Sequence, residues 1–224
     1  MKSLFLCLTL STLYQADAIL RILVIGGTKS QRTSELYYPN HLSRNKIFYP
    51  RAKIRHPRPL TGRIGKMVFV LDGKTGNSEV YNIRRNKWSG VVPNLQLSSS
   101  HSEGAGAVVG EFFIVCGGWS RSNRTASAKC DFIWYQKDIN VTIWRRMDSM
   151  TTARAGHAAG AVGKKLYMTG GFINVGSEVM PTKGVEMWDF RAGYSFWRGT
   201  APMIRKRARH AAAGYGSYLY ICGG

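Results

Sequence analysis

"RAGHAAGAVGKKLYMTGG" (residues 154–171) and "RARHAAAGYGSYLYICGG" (residues 207–224) decide the fold, because they are two copies of one pattern. Each copy has an arginine, a histidine three residues later, a run of small residues, a glycine turn, an apolar segment and a glycine pair. Alanine and glycine in a strand let neighbouring backbones approach closely. The apolar segment does not alternate with polar residues, which is typical of a strand buried on both faces. Each copy therefore predicts a crowded strand paired with a fully buried one.

A third copy, "HSEGAGAVVGEFFIVCGG" (residues 101–118), keeps the glycines and a histidine, with Ser98 aligned to the arginine of the other copies. This alignment places His101, His157 and His210 at one position of the repeat. A residue that recurs with the repeat is expected to belong to the scaffold. No H-x-H, HExxH or CxxC pattern accompanies these histidines, so the sequence does not predict a metal site.

The repeat has a period of roughly 50 residues, which indicates repeated supersecondary units. The closing glycine of each unit lies at residue 27, 73, 118, 171 or 224, with Asp72 in place of the first glycine of the second pair. An acidic residue and then aromatic residues follow the pairs, and a tryptophan comes later in three of the units. We interpret each unit as four short strands, in which the large aromatic side chains fill the space between adjacent sheets.

This pattern resembles the kelch repeat, and the resemblance implies an all-β fold, a kelch-type β-propeller. The resemblance covers residues 19–224, taken as one domain, and is weakest in the second unit. The residues that carry it are the glycine pairs, the arginine and histidine positions, and the tryptophans: Gly117, Gly118, Gly170, Gly171, Gly223, Gly224, Arg154, His157, Arg207, His210, Trp88, Trp144 and Trp197.

The strand count predicts about four blades, three complete and two partial, in an open or incomplete propeller. The first unit opens on its apolar second strand (residues 19–27), and the fifth has only its first two strands. Closure into four blades would protect the exposed sheet edges. It would also leave the strand at residues 217–224 as a duplicate of the opening strand. We therefore expect a C-terminally truncated product of a protein with more blades.

The N-terminal segment "MKSLFLCLTLSTLYQADA" (residues 1–18) has the layout of a secretory signal peptide. A lysine precedes an apolar run, and Ala16 and Ala18 form an A-x-A cleavage site. The alternative is a buried first strand. The signal interpretation predicts a secreted, extracellular protein, and no later apolar stretch is long enough to span a membrane.

The strand assignment brings two cysteines together. Cys116 ends the second strand of its unit and Cys130 begins the third, and antiparallel neighbours would place them side by side. A disulfide there is expected in an extracellular protein, and two buried free thiols are the alternative. The partner of Cys222 would lie beyond residue 224.

Two N-glycosylation sequons support the extracellular route weakly. They place Asn123 in the loop between the second and third strands and Asn140 in a later turn, both positions where a glycan is tolerated. Unmodified asparagines are the alternative.

The formal net charge of +20 is the main functional signal in the chain. Basic loops would attract an acidic glycan or an acidic extracellular protein, and a solubilising surface is the alternative. Nucleic acid is disfavoured, because the aromatic residues are assigned to the core rather than interleaved with basic ones. The predicted contact residues are Arg84, Arg85, Lys87, Arg205, Lys206 and Arg209.

No catalytic motif is present in the sequence. A nucleophile elbow, a phosphate loop and a dinucleotide fingerprint are all lacking, so we predict a non-enzymatic binding scaffold without a cofactor. Two alternatives stay open. One is a fragment of an extracellular propeller enzyme similar to copper radical oxidases. The other is an intracellular kelch adaptor, if residues 1–18 are not a signal peptide.

Overall fold

The computed structural model describes residues 22–25, 34–37, 47–48, 51–52, 55, 59–91, 97, 100–120, 125–136, 141–191 and 196–224. All regular elements in this part of the chain are short β-strands. In chain order they are β1 (Ile22–Ile25), β2 (Ser34–Tyr37), β3 (Ile47–Phe48), β4 (Pro59–Ile64), β5 (Met67–Asp72), β6 (Ser78–Asn82), β7 (Lys87–Val91), β8 (Ala105–Val109), β9 (Phe112–Cys116), β10 (Cys130–Gln136), β11 (Val141–Met147), β12 (Ala158–Val162), β13 (Lys165–Thr169), β14 (Phe172–Val175), β15 (Glu178–Pro181), β16 (Val185–Asp189), β17 (Arg198–Thr200), β18 (Ala211–Tyr215) and β19 (Tyr218–Cys222).

The strands form consecutive antiparallel sheets, which we call blades. Blade 1 is β1–β3, blade 2 is β4–β7, blade 3 is β8–β11, and blade 5 is β18–β19. Blade 4 has the order β12-β13-β16-β17, and a separate hairpin, β14–β15, is inserted between its second and third strands. Three four-stranded sheets with a smaller sheet at each end confirm the predicted all-β, propeller-type fold with three complete and two partial blades.

The first strands of the blades lie closest to one another, as in the centre of a propeller. β8 lies against β4 on one side and β12 on the other, and β12 lies against β18. Small residues make this approach feasible. A methyl group on Gly214 would overlap the backbone carbonyl of Ala161, and one on Gly160 would overlap the side chain of Leu219. The small-residue runs of the sequence are therefore a consequence of close backbone packing.

The second strand of blade 3, β9, is apolar throughout because each of its faces contacts a neighbouring blade. In β9, Phe113 and Val115 join the cluster shared with blade 2. The alternate residues Ile114 and Cys116 join the cluster shared with blade 4. All four side chains are fully buried, as expected for a continuous apolar run. For β19 the expectation of full burial was wrong, because Tyr218 and Tyr220 are 70% and 57% exposed on a two-stranded sheet.

Trp88 and Trp197, at the fourth strands of blades 2 and 4, are buried in the hydrophobic core. Trp197 is 4% exposed and lies 5.6 Å from the ring of Trp188. Its Nε1 donates a hydrogen bond to the carbonyl of Asp148 at 2.8 Å. Trp88 packs on Tyr81 with ring centroids 5.2 Å apart. A polar indole edge that is paired, with the rest of the ring buried, is the usual arrangement for tryptophan in a core.

Within the residues that the structure describes, no helix is long and apolar enough to cross a membrane.

The close approach at the centre gives a stability prediction. Gly214→Ala should lower the free energy of unfolding by about 2 kcal/mol, because the new methyl group forces β18 away from β12. The matched control is Gly199→Ala in β17, where the added methyl group meets open space. Urea unfolding of both variants tests this, and equal effects of the two substitutions would contradict it.

Candidate functional site

A buried ion pair joins three parts of blade 4 at the end of β13. Arg154, 1% exposed, donates from Nη2 to Glu186 Oε1 at 2.6 Å. Its Nη1 donates to the carbonyl oxygens of Gly170 at 2.9 Å and Gly184 at 3.1 Å. The arginine thus links the segment before the first strand, the glycine pair after the second, and the start of the third.

Glu186 receives further hydrogen bonds from the backbone. The N–H groups of Thr151 and Thr152 donate to its two carboxylate oxygens at 2.7 and 3.0 Å. Burial alone would raise the pKa of Glu186, but the hydrogen bond from Thr151 and the charge of Arg154 lower it below the usual value. The carboxylate is therefore held in its ionised form as part of the scaffold.

His101 occupies in blade 3 the position that Arg154 occupies in blade 4. Its Nδ1 bonds the carbonyl of Gly117 at 2.8 Å and its Nε2 bonds Asp131 Oδ2 at 2.9 Å. Bridge pairing fixes the register, because Ser102 pairs with Trp119 as Ala155 pairs with Phe172. The sequence alignment of His101 with His157, and of Ser98 with the arginine, was wrong. The two ring nitrogens of His101 thus contact the glycine pair and the third-strand carboxylate, as the guanidinium of Arg154 does in blade 4.

Blade 5 repeats the arrangement with arginine. Arg207 Nη1 donates to the carbonyl of Gly223, which is the counterpart of the bond from Arg154 to Gly170. The backbone carbonyls of Arg154 and Arg207 also accept hydrogen bonds from Gly118 and Gly171, both at 2.8 Å. These bonds connect each blade to the glycine pair of the blade before it.

The second recurring position of the repeat is occupied by His157 and His210. His210 Nε2 lies 2.8 Å from the hydroxyl oxygen of Thr169, and burial together with the charge of Arg207 lowers its pKa to about 4. His157 is 5% exposed, and neither ring nitrogen has a hydrogen-bond partner. Burial and then the charge of Arg154 lower the pKa of His157 well below its usual value. Both imidazoles are therefore neutral in the folded chain.

The disulfide explains why the two histidines differ. Cys116 and Cys130 are bonded, face each other across β9 and β10, and are fully buried. Cys116 pairs with the first residue of β8 as Thr169 pairs with the first residue of β12. Blade 3 thus has a disulfide sulfur where blade 4 offers a hydroxyl group to the next histidine. Cys222 is exposed and unpaired.

Three residues with positive φ angles lie just before the first strands of blades 3, 4 and 5. Glu103, Gly156 and Arg209 have φ values of 56°, 61° and 56°. The N–H of Gly156 donates to the carbonyl of Glu103 at 2.7 Å, and that of Arg209 donates to the carbonyl of Gly156 at 2.6 Å. Two of the three residues carry a side chain despite the left-handed backbone, which costs conformational energy.

Their side chains form a polar and aromatic cluster. Arg209 and Glu103 make an ion pair at 3.3 Å, with 53% and 14% of their side chains exposed. The guanidinium lies 5.5 Å from the ring centroid of Phe172, which stacks on Trp119 at 6.4 Å. Sequence reasoning grouped Arg209 with unpaired cations and missed this pair. The only signal in the sequence was the spacing of 53 residues that separates Glu103 from Gly156 and Gly156 from Arg209.

The basic residues lie at two opposite ends of the propeller. We call the end carrying the glycine pairs and the connections between blades the glycine-pair face, and the other end the turn face. Arg205, Lys206 and Arg209 precede β18 on the glycine-pair face, where the N–H of Gly171 bonds the carbonyl of Arg207. Arg84, Arg85 and Lys87 lie between or at β6 and β7 on the turn face, where the N–H of Ile83 bonds the carbonyl of Lys66. All six side chains are exposed.

Three sequence predictions fall outside the described residues: the signal peptide at residues 1–18 and the glycosylation sites Asn123 and Asn140. Within the described residues, no group of three or more His, Cys, Asp or Glu side chains is arranged to hold a metal ion.

The buried ion pair gives a second stability prediction. Arg154→Met should lower the free energy of unfolding by about 3–5 kcal/mol, because Glu186 is left buried without its counter-charge. The double variant Arg154→Met/Glu186→Gln should be less destabilised than the sum of the single variants. Arg191→Gln is the control, since Arg191 pairs with Asp189 at a site where 59% of the arginine side chain is exposed. An Arg154→Met effect no larger than that of the control would exclude the scaffold role.

The neutral histidines predict a pH dependence of stability. Between the ordinary histidine pKa of about 6.5 and the folded value of about 4 for His210, the unfolded chain binds more protons. The free energy of unfolding should therefore fall as pH drops from about 7 to 5, a range in which ordinary carboxylates stay ionised. His157→Leu and His210→Leu should each flatten that slope in urea titrations. If the free energy of unfolding depends on pH in both variants as it does in the unmodified chain, the prediction is wrong.

No protein-family model and no curated protein matches the sequence. The structure is similar to 205 chains of solved structures. One is the structure of YjhT, a kelch-like β-propeller-type protein, with a TM-score of 0.72 and 12% identity over 89% of this chain and 67% of that one. At this identity the likeness shows the fold alone. The chain has a β-propeller fold.

Proposed function

We propose that this chain is a kelch-type β-propeller that serves as a non-enzymatic binding scaffold, with an anionic partner held at the glycine-pair face. The observation that carries the proposal is the exposure of Arg205 and Lys206 without a counter-charge. Both side chains are exposed in the connection between β17 and β18, and neither forms an ion pair within the described residues. Two adjacent cations without counter-charges attract an anion more strongly than cations that are already paired.

Other cations of blades 4 and 5 differ from Arg205 and Lys206 because they have polar or acidic partners. Arg209 is neutralised by Glu103, while Lys165 and Arg191 both lie near Asp189 on the turn face. Arg207 donates to the carbonyl of Gly223. The strongest unbalanced charge among the described residues of blade 5 is therefore at Arg205 and Lys206.

The repeat positions support the kelch assignment, since an arginine or histidine side chain before the first strand contacts the glycine pair in blades 3, 4 and 5. The disulfide between Cys116 and Cys130 supports an extracellular location, because such bonds persist in oxidising compartments. The partner in this proposal is an extracellular protein or an acidic glycan. The titratable groups of the blades support a scaffold rather than catalysis, because His101, Asp131, Arg154 and Glu186 all bond one another or the backbone.

Heparin, a sulfated glycan, is a suitable probe for this surface. Arg205→Ser/Lys206→Ser should weaken heparin binding roughly threefold to tenfold, as each exposed charge pair contributes about 0.2–1 kcal/mol. The variant should also leave a heparin column at lower salt, because exposed charges are screened. Lys165→Ser/Arg191→Ser on the turn face is the matched control, with the same change in net charge at two cations that pair with Asp189.

Equal losses in the two variants would mean that heparin responds only to net charge, and would refute a specific surface. Passage of the unmodified chain through the column at physiological salt would refute anion binding altogether.

A further inference from the structure

We propose that the hairpin β14–β15 and the adjacent β17–β18 connection form a docking surface for a lipid bilayer with acidic headgroups. The proposal rests on the proposed function for its electrostatic part, at Arg205 and Lys206. It adds an apolar part that anion binding alone does not need. The partner chemistry follows from how these two parts are exposed.

The hairpin is fixed to the propeller by one face at its base. Phe172 stacks on Trp119, which lies between β9 and β10 of blade 3, with ring centroids 6.4 Å apart. Asn174 Oδ1 accepts a hydrogen bond from the N–H of Ala126 at 2.8 Å. The strand pairing is complete from Phe172 to Val175, with a two-residue turn between the strands. The hairpin is therefore an ordered projection from the glycine-pair face.

The outer part of the hairpin exposes aliphatic side chains in two directions. Val175 is 52% exposed and Met180 36% exposed, and strand pairing places both on the face opposite Asn174. Val179 shares the face of Asn174 and is 48% exposed. All eight residues from 174 to 181 are exposed. Exposed apolar groups that are clustered in this way mark interaction surfaces.

A further exposed apolar residue, Ile204, lies beside the base of the hairpin in the β17–β18 connection. The N–H of Met203 bonds the carbonyl of Lys183 at 2.9 Å, and the N–H of Arg207 bonds that of Thr182 at 3.2 Å. These bonds hold the connection alongside the hairpin. Ile204 lies between the two bonded positions and is 97% exposed, followed directly by Arg205 and Lys206. Lys183 adds a third exposed cation to the same border.

A bilayer accounts for both parts better than a macromolecule in solution does. The apolar side chains lie on a projection that is exposed on both faces, whereas an amphipathic peptide helix binds in a hydrophobic groove. A sulfated glycan has no aliphatic groups to cover Val175, Val179 or Ile204. A second copy of this chain is repelled by the net charge of +20. Aliphatic residues bordered by lysine and arginine are the features of proteins that bind acidic membranes peripherally.

Glu178 is the acidic residue of the hairpin, and it lies on the same face as Val175. An acidic bilayer repels this carboxylate. This gives a test in which a substitution should increase binding, opposite in sign to the effect of removing an apolar side chain.

The experiment is sedimentation of the full chain with vesicles of phosphatidylcholine, with and without phosphatidylserine. Val175→Ser/Val179→Ser and Ile204→Ser should each reduce the partition coefficient for phosphatidylserine vesicles about tenfold or more. Glu178→Gln should increase it roughly fivefold. Ile83→Ser is the control, an aliphatic residue that is 37% exposed on the turn face, and its partition should be unchanged.

Unchanged partition of Val175→Ser/Val179→Ser would overturn the proposal, as would equal binding to vesicles with and without phosphatidylserine. A chain that binds heparin or an acidic protein but leaves the vesicles in the supernatant would overturn only the bilayer proposal and keep the proposed function. A chain that binds neither heparin nor vesicles would overturn both.

Discussion

The rest of the propeller depends on one buried contact of blades 3 and 4, between a nitrogen-bearing side chain before the first strand and a carboxylate on the third strand. In blade 4 the groups are Arg154 and Glu186, and in blade 3 they are His101 and Asp131. The same side chain, Arg154 or His101, bonds the carbonyl of the first glycine of the pair that follows the second strand. A buried carbonyl without a donor would be costly. The side chain meets that need and also fixes where the first, second and third strands of the blade converge.

Much of the fold was predictable because its physical causes are periodic. Close packing of first strands requires small residues, and burial on both faces requires the apolar runs of β9 and β13, so both appear as patterns of letters. The register of His101 was not predictable in this way. Alignment matched one histidine to another, whereas the position selects a donor to Gly117 and Asp131. Arginine and histidine both meet that requirement, so residue identity was a poor guide and spacing was the better one.

The sequence also could not indicate what a cysteine at one repeat position does to its neighbour. The disulfide of Cys116 lies where blade 4 has Thr169, whose hydroxyl bonds His210. His157, at the corresponding place, is left without a polar partner. The cross-link constrains the unfolded chain and contributes about 3 kcal/mol for a loop of this length. Part of that gain is offset by the unpaired polar atoms of the imidazole, which are costly to bury.

The run from Arg205 to Arg209 shows why charge alone locates no site. Four of its five residues are cations, and in the sequence they are alike. The structure separates them into three roles, because Arg207 bonds Gly223 in the scaffold and Arg209 is neutralised by Glu103 near the centre. Among the four, only Arg205 and Lys206 are exposed without an ion pair in the described residues, and they lie beside Ile204 and the inserted hairpin. The proposed binding role of this face rests on residues that the repeat does not require, since the repeat accounts for the others.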